Sequence, residues 1–147
     1  MEKKEQYRLL ERQLAALLEG ENDVIAKMAN VAAVVHETFG FWWTGFYRVA
    51  GEELILGPFQ GPVACMHIPY GKGVCGTAWA RNETVVVPDV EAFPGHIACS
   101  SASRSEIVVP VHGPDGAVTA VLDIDSDKLA TFDDIDKEWL EKIVKLL

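Results

Sequence analysis

EIVVPVHGPDGAVTAVLDID, residues 106–125, decides the fold. Apolar residues alternate with others along 106–111 and again along 117–125, the period of a half-buried β-strand. Between the runs, Gly113-Pro114-Asp115-Gly116 is dense in turn residues, so the pair reads as an antiparallel hairpin. Asp123 and Asp125 are two apart on the second strand and therefore share a face.

Towards the C-terminus, Thr131-x-x-Asp134 has the form of a capping box with Asp in place of Glu. It predicts a terminal helix carrying Ile135, Trp139, Leu140, Ile143 and Val144. Towards the N-terminus, residues 90–104 show no period, and a loop of that length is usually functional. Before it, residues 83–87 read as a strand and 74–81 as a short helix behind the turn Pro69-Tyr70-Gly71-Lys72-Gly73. Residues 42–49 and 53–56 form strands around a Gly51-Glu52 turn, 57–64 is irregular, and 65–68 is a further short strand. The chain opens with two amphipathic helices, residues 2–19 and roughly 23–39, separated by Gly20. The layout is α+β: a single domain over 1–147, with leading helices in 1–38 and a largely antiparallel sheet core in 41–147. The N- and C-terminal helices are expected as the pair covering one face of the sheet.

A net charge of −9 over 147 residues argues against nucleic-acid binding, which needs a basic stripe. No apolar run reaches the roughly 18 residues of a membrane span. The charged opening MEKKEQYRLLERQ has no secretory signal pattern, so a cytoplasmic protein is expected. Three cysteines, Cys65, Cys75 and Cys99, match neither a C-x-x-C pair nor a zinc knuckle. His67, His96 and His112 form no metal spacing with them, and no metal is expected. Leu9, Leu14 and Leu17 could support a homodimer, although packing within the chain is the preferred reading.

The block from Gly45 to Val111, with GKGVCGTA at 71–78, HIACSSASRSE at 96–106 and LDIDS at 122–126, resembles the free methionine-R-sulfoxide reductases. These are a branch of the GAF-domain superfamily. The order and spacing of the three cysteines match that family. Because GAF domains otherwise bind cyclic nucleotides, tetrapyrroles or small effectors, a non-enzymatic small-molecule or redox sensor is the alternative.

The resemblance implies reduction of free methionine-R-sulfoxide through a sulfenic acid and an intramolecular disulfide, with thioredoxin as electron donor and no other cofactor. Cys99 is the expected nucleophile, in a polar loop with His96 and Arg104 as positive neighbours that would favour its thiolate. Cys65 is the leading resolving thiol. Cys75, at the start of the short helix, rivals Cys99 on local chemistry, because a helix N-terminus also favours a thiolate. It is alternatively a second resolving thiol or a small packing residue.

The resemblance further implies that Glu106 protonates the sulfoxide oxygen, with Asp123 and Asp125 expected to raise its pKa and to take the substrate ammonium. Trp43 and Tyr47, four apart on a strand, share a face, and the resemblance places them beside the S-methyl group, while Trp42 on the other face belongs to the core. The backbone at Ile107, the hydroxyls of Ser101 and Ser103, and Arg104 are candidates for the substrate carboxylate.

Overall fold

The computed structural model describes residues 1–97 and 102–147. Helix α1 spans Lys3–Leu18 and α2 Val24–Phe39. Strands β1 (Trp43–Ala50), β2 (Glu53–Gln60) and β3 (His67–Pro69) follow, then α3 (Gly73–Arg81), β4 (Val85–Val87) and a 3-10 turn at Val90–Ala92. Strands β5 (Ser105–His112) and β6 (Val118–Ser126) and helix α4 (Asp134–Val144) complete the chain. The six strands form one sheet in the order β3-β2-β1-β6-β5-β4, antiparallel at every pairing.

Alternation along β5 and β6 gives the sheet two faces. Ile107, Val109, Val111, Ala120, Leu122 and Ile124 point to one side, where Phe46 of β1 joins them in a core with the helices. On that side α2 and α4 lie against strands, and α1 packs across both helices as an outer layer. The expected pairing of the first and last helices on the sheet is therefore corrected: α2 fills the place next to β1 and β2. The reason is composition. Val31, Ala32 and Val35 give α2 a small, apolar, fully buried stripe that can approach a sheet closely, whereas α1 presents Tyr7, Leu10 and Leu14. Leu14 is itself fully buried, so only Leu9 and Leu17 of the expected dimer face are exposed.

Local signals fix the helix ends. Asp23 caps α2 by accepting from the Ile25 and Ala26 amides, and Gly40 ends it at φ 67°. The cap of α4 lies two residues beyond the expected Thr131-x-x-Asp134: Asp133 and Asp136 form the reciprocal box, and Thr131 bonds Ser126 instead. Asp136 is also held by Tyr7 Oη, at 2.5 Å, and by Lys3 Nζ, at 2.7 Å. These bonds clasp the first turn of α1 to the first turn of α4.

Strand β2 runs through Gly57 and Pro58 to Gln60, longer than the expected 53–56. Two steps along β1 from Gly45 to Tyr47 face three steps along β2 from Phe59 to Leu56, a bulge that absorbs the extra residue. Strand β3 pairs only with Glu53–Ile55, so Pro58 lies past its end and breaks no ladder bond on that side.

Candidate active site

The second face of the sheet carries a smaller core around Trp43, Tyr47, Ile68, Val74, Cys75, Val108 and Val121, roofed by α3. Trp42 is half-buried against this same cluster rather than facing the helix-side core. It precedes β1, so the alternation that separates Trp43 from Thr44 does not govern it. A recess opens here, enclosing about 550 Å³ counting its mouth.

Register places the acidic groups. Trp43 of β1 faces Asp125 of β6, which faces Glu106 of β5; one residue pair further along, Gly45 faces Asp123, which faces Val108. Strands spaced about 4.8 Å apart thus set Asp125 and Glu106 side by side, with Asp123 next to them on the same face. All three line the recess with Cys75, His96 and Ser103. The missing side chain at Gly45 makes room for an aromatic wall: a Cβ there would sit 2.7 and 2.9 Å from two Trp43 ring atoms. Trp43 stacks between Tyr47 and Phe59 at centroid distances of 5.9 and 5.2 Å.

These aromatics also position the rim. Trp43 Nε1 donates to the Pro62 carbonyl at 3.0 Å, and Tyr47 Oη donates to the Cys65 carbonyl at 2.8 Å. Two buried rings therefore hold the segment that carries Cys65, whose neighbours Val63 and Ala64 line the recess. Gly61 lets that segment pass: at φ 125° a Cβ would meet the Trp42 carbonyl oxygen at 2.9 Å. The alternating pattern puts Trp43 and Tyr47 on one face, but the partners of their polar tips depend on a return of the chain that no local spacing encodes.

No lysine or arginine is among the described lining residues, so the carboxylates have no cationic partner. Burial pushes the Glu106 carboxyl well above the usual carboxylate range, and the charges of Asp123 and Asp125 push it further. Asp125 is likewise raised well, by burial and then by Asp123. Burial raises Asp123 too, against hydrogen bonding with Glu106 and Cys75. Three acids this close titrate as a set, and each holds its proton to higher pH than an isolated carboxyl would. Asp123 Oδ1 is buried without a hydrogen-bond partner, while Ser103 Oγ reaches Asp125 Oδ1 at 3.4 Å.

The thiols divide sharply. Cys75 is free and buried, and its thiol is pushed well above its ordinary value by burial and by Asp123, Glu106 and Asp125. The expected thiolate-favouring effect of the α3 N-terminus is thus outweighed by desolvation and three acidic neighbours, which disfavours Cys75 as nucleophile. Cys65 is half-buried and disulfide-bonded. Cys99 and Ser101 lie outside the described residues.

Two expectations are corrected, and a third is narrowed. His96 does line the recess, with Nε2 3.9 Å from Glu106 Oε1, but burial lowers its pKa and so favours the neutral imidazole over a cation. Arg104 is exposed; its backbone bonds Val90 and Ser126, and its side chain does not line the recess. The Ile107 side chain points into the helix-side core, away from the recess, and its backbone, the part expected to meet the substrate carboxylate, lies between Ile124 and Val86 in the sheet. The period of two that brings Glu106 in necessarily carries Ile107 out.

Residues 23–147 match the model of the GAF domain. The GAF domain-containing protein A of Dictyostelium discoideum is 58% identical over 99% of this chain and 92% of its own length. The free methionine-R-sulfoxide reductase of Escherichia coli is 45% identical over 100% of this chain and 89% of its own. The crystal structure of free methionine-R-sulfoxide reductase from Neisseria meningitidis in complex with its substrate superposes with a TM-score of 0.97. It shares 51% identity and covers 99% of this chain and 88% of that one. A six-stranded antiparallel sheet whose acid-lined recess holds a free thiol thus accompanies identity along the full length, and the chain belongs to the GAF-domain family, in the branch of the free methionine-R-sulfoxide reductases.

Proposed function

We propose that this protein reduces free L-methionine-(R)-S-oxide to methionine, with Cys99 as nucleophile, Cys65 as resolving thiol and thioredoxin as the source of electrons. The observation that carries the reading is the buried trio Glu106, Asp123 and Asp125, raised in pKa and lacking a cation. A free amino acid supplies the missing ammonium, and a carboxyl that retains its proton can donate it to a departing oxygen.

The Cys99 thiolate attacks the sulfoxide sulfur while Glu106 protonates the oxygen. Methionine leaves and Cys99 becomes a sulfenic acid. The Cys65 thiol then attacks that sulfur, forming a disulfide and releasing water, and a dithiol partner returns both sulfurs to thiols. Two electrons pass from the thiol pair to the sulfoxide. A free, acid-shielded Cys75 supports giving resolution to Cys65, whose segment forms the recess rim. Asp123 and Asp125 hold the ammonium, and the Trp43–Tyr47 wall contacts the S-methyl group, where sulfur–aromatic contact contributes about 0.3–1.5 kcal/mol. The reducing partner implies a cytoplasmic setting. The exposed Leu9 and Leu17 are what remains to support a homodimer.

Discrimination tests the reading. N-acetyl-methionine sulfoxide leaves buried carboxylates unpaired, a loss of about 3–5 kcal/mol or about two to four orders of magnitude in kcat/KM. Comparable rates on the free R epimer, the S epimer and the N-acetylated form would refute it.

A further inference from the structure

The proposed reaction leaves one nucleophilic group in the recess without a role: Cys75. We propose that Cys75, Glu106 and Asp123 also form a binding site for a zinc-class divalent cation, which competes with the substrate ammonium. The competition rests on the reading above; the cation site rests on the geometry alone.

One ligand atom from each of the three residues lies within 4.8 Å of the others. Zinc binds thiolate sulfur at about 2.3 Å and carboxylate oxygen at about 2.0–2.2 Å, so a shift of roughly an ångström at the side-chain tips closes the shell. Asp123 is buried and interacts with Glu106 and Cys75, yet its Oδ1 has no hydrogen-bond partner, so one of its carboxylate oxygens stays open to a ligand. Sulfur beside carboxylate oxygen selects a borderline-soft ion, whereas magnesium and calcium prefer oxygen alone.

Spacing along the chain pointed away from a metal because it considers neighbours in sequence. The donors here come from α3, β5 and β6 and meet only when α3 closes over the sheet. On binding, the Cys75 S–H bond breaks, the sulfur–metal bond forms, and the thiol proton leaves to solvent with any proton held by Glu106 or Asp123. No atom changes oxidation state. The dication then neutralises the acids that an ammonium would otherwise neutralise, so the two ligands exclude each other.

The test uses the full-length Cys65→Ser/Cys99→Ser protein, in which Cys75 is the sole thiol, titrated with Co²⁺ and followed by cobalt–thiolate charge-transfer absorbance. One Co²⁺ per chain is expected, displaced by Zn²⁺ and by L-methionine but not by Mg²⁺. Asp123→Asn should weaken binding at least about tenfold, and a further Cys75→Ser should abolish the band. Circular dichroism establishes that each variant is folded; should the Cys75→Ser protein unfold, Asp123→Asn and Glu106→Gln carry the test. Absence of the band at millimolar Co²⁺ overturns the site, as does a band that both acid variants leave unchanged. Sulfoxide reduction by the wild type is assayed separately. Reduction without cobalt binding sinks the cation site alone, and cobalt binding without reduction sinks the activity alone.

Discussion

Replacing Gly45 by alanine sets a methyl group 2.4 Å from Phe59 Cβ and 2.7 and 2.9 Å from the outer ring of Trp43. Carbon atoms pack at about 3.5–4.0 Å, so Phe59 Cβ must withdraw by about 1.1 Å or more. Gly45 and Phe59 are a cross-strand pair beside the β2 bulge, so that withdrawal parts β1 from β2. Overpacking of this kind costs about 1–3 kcal/mol. Alanine recovers about 0.5–1 kcal/mol of backbone entropy that glycine forfeits in a strand. A withdrawal this large belongs in the upper part of that range, about 2–3 kcal/mol, so the net loss is about 1–2.5 kcal/mol, or a fall in Tm of about 2–10 °C for a domain of this size. Differential scanning calorimetry measures it. Because the same methyl displaces the Trp43 ring, KM for the sulfoxide should rise as Tm falls. Adding Trp43→Phe removes the outer ring, so the double variant should lose less stability than the sum of the singles, by at least about 0.5 kcal/mol. An unchanged or raised Tm in Gly45→Ala, or strict additivity with Trp43→Phe, would refute the argument that this glycine exists to seat the tryptophan.

Folded Glu106 and Asp125 hold protons at pH values where an unfolded carboxyl, with pKa about 4, has already lost them. Between that value and their raised ones the native state binds more protons, so stability falls as pH rises. Tm should therefore increase on acidifying from pH 7 to pH 5, and the Glu106→Gln/Asp125→Asn variant should show a flatter profile. Asp123 is the leading charge raising Glu106, so Asp123→Asn should move the alkaline limb of the kcat/KM profile to lower pH; an unmoved limb would remove Glu106 as the proton donor. Tyr7→Phe deprives buried Asp136 of a donor and should cost about 1–3 kcal/mol in urea denaturation, with kcat unchanged.

Sequence made the strands and their faces readable where periodicity was uninterrupted. Asp123 and Asp125 share a face because two residues make one pleat, and the hairpin at 113–116 fixes which strand neighbours them. The same rule turns the side chain of Ile107 away from the recess and leaves only its backbone as a candidate there. The end of β2 was not readable, because Gly57 and Pro58 look like a break unless the bulge and the shortness of β3 are known. Nor was the surrounding of Cys75. Helix position argues for a thiolate, and only packing of α3 above three acids reverses the sign. The polar contacts of Trp43 and Tyr47 likewise depend on a chain return 18 or 19 residues away.

The sheet is a partition. Its helix-side surface carries the larger hydrophobic core and its other surface carries the chemistry, with a single layer of backbone between them. Odd and even positions of one strand consequently answer to different demands: Ile107 to cohesion, Glu106 and Val108 to whatever occupies the recess. Such a scaffold can exchange its ligand while leaving its foundations untouched, provided each substitution keeps to its own side of the wall.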